Sequence, residues 1–90
     1  NRKFEVISQC TFFKVWDLRL ISPWRDDTAV RGSFHLISAV NAPVGIARRS
    51  DAPDTLHLEA GETALIPANL GAYVIPPERS GETTVVKTTL

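Results

Sequence analysis

The chain has 90 residues, with ten basic and ten acidic side chains, one cysteine and no methionine. This length fits a single domain over residues 1–90, and the balanced charge lacks the basic field typical of nucleic-acid binding. A lone cysteine cannot form an internal disulfide, and the apolar runs are too short to cross a membrane. Because the start carries no signal-peptide pattern, we expect a cytoplasmic protein. The charge balance and the short apolar runs predict no nucleic-acid and no membrane partner. Because the sequence has no methionine at all, we expect a trimmed or processed piece of a longer chain.

Three apolar segments in the first half of the chain predict strands. Residues 10–21 are rich in aromatic and β-branched side chains on both alternating phases, which is typical of a long strand between two layers. Segment 23–27, with its proline and two aspartates, predicts a break in the sheet. Residues 34–40 form another apolar run, and the segment 44–49 follows it.

Short strands and tight turns alternate in the second half. Residues 55–59 alternate so that Leu56 and Leu58 share one face of a strand. Glycine 61 and proline 67 disfavour a helix there, because each destabilises a helix interior. The remaining predicted elements are a turn at 60–62, a strand at 63–66, a strand at 72–75, a turn at 80–82 and a strand at 83–88. This spacing of strands and turns predicts an all-β sandwich or barrel.

The histidines and the cysteine show no pattern typical of a metal or catalytic site. His35 and His57 stand 22 positions apart, without the ligand spacing of a zinc site. His35 shares a strand face with Ile37, so we expect a partly buried histidine with a hydrogen-bond partner. His57 shares its face with Glu59, which predicts a solvated surface. Cys10 lies in an apolar strand, where a buried structural thiol is expected.

Few other residues suggest a ligand site. Arg48 and Arg49 are adjacent, so on a strand one of them would line a pocket beside Val44 while the other meets solvent. The residue pattern favours the other interpretation, a solvated strand end near Asp51 and Asp54. The aromatic residues Trp16 and Trp24 are interpreted as core or interface, as is the pair 12–13. No glycine-rich loop matches a phosphate-binding fingerprint.

Three stretches resemble a known family. Residues 61–68 (GETALIPA) resemble the second conserved motif of cupins, in which a glycine turn, a short strand and a proline follow one another. The ending Ile-Pro-Ala is similar to the C-terminal cupin domain of type I mannose-6-phosphate isomerases. Residues 10–15 resemble the opening strand of that domain, and 34–40 resemble the strand before its glycine turn. The resemblance implies a cupin-like jelly-roll barrel of short antiparallel strands.

The sequence departs from metal-binding cupins at each ligand position. Asn69 and Ala72 occupy the places of the second motif's glycine and histidine. The first motif's glutamate falls at Phe34, and its two histidines fall within 27–30, where there is none. The resemblance therefore implies a domain without a metal or other cofactor, with zinc held by a preceding catalytic part of the parent chain.

Three functions remain open from the sequence. The resemblance favours a non-catalytic C-terminal domain, inactive alone, of an isomerase that interconverts mannose 6-phosphate and fructose 6-phosphate; its partner would be the preceding catalytic domain. The second is a stand-alone cupin-like module that binds a small sugar or acid through His35 and either Arg48 or Arg49, with a sugar phosphate as a possible partner. The third is a structural module that forms a homodimer through Phe12, Trp16 or Trp24.

Overall fold

The computed structural model describes residues 1–7, 12–48, 55–76 and 81–89, and these ranges are almost entirely β-structure. The strands are β1 (Arg2–Ile7), β2 (Lys14–Leu20), β3 (Trp24–Asp27), β4 (His35–Ala39), β5 (Val44–Ile46), β6 (Leu56–Leu58), β7 (Thr63–Ile66), β8 (Ala72–Ile75) and β9 (Thr83–Thr89). One turn of 3₁₀ helix, η1 (Thr28–Val30), follows β3. No helix in these ranges is long and apolar enough to span a membrane.

The strands form two antiparallel layers. The first is a five-stranded sheet in the order β1-β2-β9-β4-β7. The second is built from the pairs β3-β8 and β5-β6. Ala47 and Val74 join these pairs, because each backbone N–H donates to the other residue's carbonyl, at 2.9 and 2.7 Å. The result is an all-β jelly-roll architecture, as predicted.

The core lies between the two layers and follows strand alternation. In β9 every second residue is buried, and β4 buries His35, Ile37 and Ala39 in the same way. Side chains on one face of a strand recur with period two, so these positions point to a shared interior. The largest fully buried aliphatic side chains are Leu18, Leu20, Ile37, Ile75, Val44, Val74 and Val85.

Most of the predicted strands are present. The predictions for 63–66 and 72–75 are confirmed at both ends, and 34–40 and 83–88 match β4 and β9 closely. The turn at 60–62 is also confirmed, because Gly61 has a φ of +91° that favours glycine. The strand over 10–21 is shorter than predicted: β2 spans Lys14–Leu20, and Cys10 lies outside the described residues.

Two strands were missed by the sequence patterns. The predicted break over 23–27 is wrong, because Trp24–Asp27 forms β3 and pairs with β8. Its two aspartates have partners within the fold: Asp26 forms an ion pair with Lys87, and Asp27 accepts a hydrogen bond from the backbone N–H of Ala29. Strand β1 was not predicted either; it is an edge strand whose side chains at 2–6 remain exposed, so it lacks a buried apolar face.

Candidate functional site

The interior of the barrel changes from apolar to polar along the strands. The register places Leu18 opposite Val85 at the apolar level. Two residues further along β9, Lys87 lies opposite Trp16, and the next inward position, Thr89, lies opposite both Lys14 and His35. Strand pairing therefore gathers ionisable and aromatic side chains at one end of the core.

A shielded ion pair spans the two layers at this polar end. The Lys87 ammonium of β9 donates to Asp26 Oδ2 of β3. The same oxygen accepts from the Trp24 indole at 3.2 Å, and Asp26 Oδ1 accepts from the backbone N–H of Asp27 at 2.8 Å. Burial alone would raise the pKa of Asp26, but these donors and the Lys87 charge hold it below its ordinary value. Asp26 is thus kept ionised within the barrel.

His35 and Tyr73 form a second polar pair beside it. His35 Nδ1 lies 2.6 Å from the Tyr73 hydroxyl, and the rings meet edge to face. Burial, and then the Lys87 charge, lower the pKa of His35, so its imidazole is neutral at pH 7. Burial and the Asp26 charge raise the pKa of Tyr73, so its hydroxyl stays protonated. With both groups neutral, they share one hydrogen bond, whose donor is the Tyr73 hydroxyl or the His35 Nδ1–H according to the imidazole tautomer.

These pairs border a cavity of about 320 Å³ at the mouth of the barrel. Its lining residues are Lys3, Lys14, Trp16, Asp26, Asp27, Val30, Arg31, His35, Lys87 and Thr89. Four of the ten carry a positive charge and two carry a carboxylate, so the lining is positive on balance. The Lys3 ammonium sits over the Trp16 ring, 4.1 Å from its centroid. The cavity therefore combines an apolar wall, fixed polar groups and surplus positive charge.

The fold places the residues predicted to bind a ligand in different parts of the structure. His35 lines the cavity and is only 5% exposed, with a hydrogen-bond partner as the sequence predicted. Arg48 lines a different surface pocket, between β5 and the β6–β7 edge, with Ile46 and Leu56. Arg49 lies outside the described residues. The structure therefore does not place Arg48 in the same pocket as His35.

Sequence reasoning missed most of the groups around His35. Lys87 was predicted only as part of a terminal strand, and Asp26 was assigned to a break. One available signal was the lysine at position 87, which alternation places on the buried face of β9 with Val85. A buried lysine requires an anionic partner, but the sequence does not identify which carboxylate supplies it.

No family model and no curated protein matches this chain. Solved structures do match its fold. A cupin-2 domain protein from Shewanella frigidimarina has a TM-score of 0.68 at 15% identity, over 92% of this chain and 74% of the other. A cupin superfamily protein from Desulfitobacterium hafniense reaches 0.71 at 12% identity, over 100% and 78%. The fold is a cupin barrel. A cupin 2 conserved barrel domain protein from Salinispora arenicola agrees, with a TM-score of 0.72 at 8% identity over 98% and 73%.

The donor set of this cavity does not fit a metal ion. Among the described residues, no group of three His, Cys, Asp or Glu side chains could hold one. The cavity contributes one histidine, and its Asp26 oxygens already accept from three donors. Zinc sites in proteins gather three or four converging ligands, whereas the described lining offers one imidazole and two carboxylates that already accept hydrogen bonds.

Proposed function

We propose that this chain is a metal-free cupin module that binds a small polar molecule in the cavity at the barrel mouth. One observation carries the proposal: polar side chains from strands of both layers converge on a cavity large enough for a small ligand. His35 and Asp26 are held in fixed positions by Tyr73 and Lys87. Such fixed donors and acceptors reduce the entropy lost when a ligand binds.

The sequence resemblance extends this proposal to a parent enzyme. In that case the module is the C-terminal cupin domain of a mannose-6-phosphate isomerase and packs against the preceding catalytic domain, which carries zinc. This extension is supported by the motif at 61–68 and by the loss of the cupin metal ligands. The coding sequence upstream of Asn1 tests it: a domain bearing histidine, glutamate and glutamine ligands supports it. Isomerase activity of the 90-residue chain with added zinc would contradict it.

The alternative to a binding module is a structural module that forms a homodimer. The exposure of its aromatic residues indicates which of them a dimer interface would use. Phe12 is 79% exposed, whereas Trp16 and Trp24 pack against the core and are partly withdrawn from solvent. A dimer would therefore use Phe12 rather than the tryptophans. Sedimentation velocity tests this alternative, because a monomer that persists at high protein concentration excludes it.

Filling the cavity tests the binding proposal. Thr89 lines the cavity, and Thr88 beside it on β9 belongs to the other face of the strand. We expect calorimetry to detect binding of at least one member of a panel of sugars and sugar phosphates. Thr89→Phe should abolish that binding, because the added ring occupies the cavity, whereas Thr88→Phe should retain it. Circular dichroism confirms that both variants are folded.

A panel without any heat of binding contradicts the proposal. So does a ligand whose affinity falls in Thr88→Phe and survives in Thr89→Phe, since it would bind outside the barrel.

A further inference from the structure

Three cationic side chains surround the cavity and form no ion pair with a carboxylate of the described residues. Lys3 of β1, Lys14 of β2 and Arg31 after η1 all line it. In the described part of the chain, no carboxylate lies within ion-pair distance of any of the three. Surface cations commonly find acidic neighbours in a chain with equal numbers of each, so this local surplus is a specific feature of the cavity.

The two carboxylates of the cavity are already engaged. Asp26 accepts from Lys87, and Asp27 Oδ1 accepts from the backbone N–H of Ala29 at 2.8 Å, where it caps the 3₁₀ turn. Asp26 attracts Lys3 electrostatically, but neither carboxylate lies within ion-pair distance of Lys3, Lys14 or Arg31. Among the described residues that line the cavity, cationic side chains outnumber carboxylates by two.

The cations also influence one another. Burial is the largest cause that lowers the pKa of Lys3, and repulsion from Lys87 and Arg31 lowers it further, while attraction to Asp26 and Glu5 offsets only part of this effect. Its ammonium lies over the Trp16 ring, which offers a weak electrostatic partner. An anion placed among these groups would relieve their repulsion, and a dianion would balance the surplus charge of the cavity.

We propose that the cavity recognises a phosphomonoester, with the phosphate held by Lys3, Lys14 and Arg31. This inference rests on the proposed function and names the ligand class of the same site. The uncharged part of the ligand extends towards Trp16 and Thr89, where a hydroxylated carbon skeleton finds an apolar wall and polar partners. Arginine suits this role because its planar guanidinium presents several donors to phosphate oxygens.

Tryptophan fluorescence gives a direct test, because Trp16 contacts the Lys3 ammonium. The probes are inorganic phosphate, mannose 6-phosphate and mannose, each titrated into the 90-residue chain at low and at physiological ionic strength. We expect both phosphates to bind, mannose 6-phosphate to bind at least roughly tenfold more tightly than mannose, and added salt to weaken phosphate binding.

Charge removal locates the site. Arg31→Gln and Lys14→Gln should each weaken mannose 6-phosphate binding by roughly tenfold, because a charge-assisted hydrogen bond is lost. Arg25→Gln is the matched control, since Arg25 is exposed on β3 and does not line the cavity. All three positions are solvent-accessible, so the variants should fold.

The outcomes separate this inference from the proposed function. If mannose binds as tightly as its phosphate, anion recognition is overturned while small-molecule binding stands. If Arg31→Gln and Lys14→Gln weaken binding no more than Arg25→Gln, the assignment of the phosphate to these cations is overturned. If none of the three probes binds but a neutral member of the wider panel does, the ligand class is wrong and the module still binds.

Discussion

Replacing Lys87 with methionine would leave the Asp26 carboxylate inside the barrel without its cation. Both side chains are well shielded, with 7% of Lys87 and 17% of Asp26 exposed. Removing one member of a buried ion pair costs about 3–5 kcal/mol, because the other charge stays buried and uncompensated. Asp26 retains its donors from Trp24 and from the Asp27 backbone, so we expect the lower end, about 3 kcal/mol.

Urea unfolding at pH 7 measures this loss. A loss of about 3 kcal/mol in a domain of this size corresponds to a fall in melting temperature of roughly 12–24 °C. The double variant Asp26→Asn/Lys87→Met is the control, because it removes both charges and leaves none uncompensated. We expect it to regain about 2 kcal/mol relative to Lys87→Met alone. A loss below about 1 kcal/mol for Lys87→Met, or a double variant that is no more stable, would refute the reasoning.

Four further perturbations test the buried polar groups and one turn. The pKa of His35 lies below its ordinary 6.5, so below that pH the unfolded chain binds more protons than the folded chain and the free energy of unfolding should fall. Urea midpoints measured against pH should show this fall, and His35→Gln should remove it. The pKa of Asp26 is lowered from 3.8, so a second loss should follow below about pH 4, absent in Asp26→Asn. Tyr73→Phe should cost about 1–3 kcal/mol in urea unfolding, because His35 Nδ1 loses its partner; an unchanged midpoint contradicts the pairing. Gly61→Ala should lower the free energy of unfolding by about 1–2 kcal/mol. The loss comes from the φ of +91° alone, since a Cβ there meets no atom within 4 Å, and a variant more stable than the parent chain contradicts the turn.

Much of the fold follows from local sequence signals. Gly61 and Pro67 bracket β7, and a proline pair closes β8, so the bounds of both strands could be predicted. The alternation of His35 with Ile37 and Ala39 likewise located β4 and its buried face. Strand β1 could not be found this way, because it pairs only with β2 and its hydrophobic side chains Phe4 and Val6 remain exposed.

The site was less accessible to sequence reasoning because its contacts are long-range. Asp26 and Lys87 are 61 positions apart and lie on different sheets. His35 and Tyr73 are 38 positions apart and also come from opposite layers. Such pairs depend on how the layers face each other, which local patterns do not encode. A buried aspartate therefore gave the same local signal as a turn, and β3 was mistaken for a break.

The proposed phosphate site is most directly tested by locating the ligand. Nitrogen-15 chemical shifts, recorded while mannose 6-phosphate is added, report on each backbone amide and on the Trp16 indole. We predict that the perturbed signals cluster at Trp16, Arg31 and Thr89, around the barrel mouth. Signals that move instead around Leu56 and Leu70, in the pocket beside Arg48, would contradict this placement. A spectrum unchanged at saturating ligand would contradict phosphate binding itself.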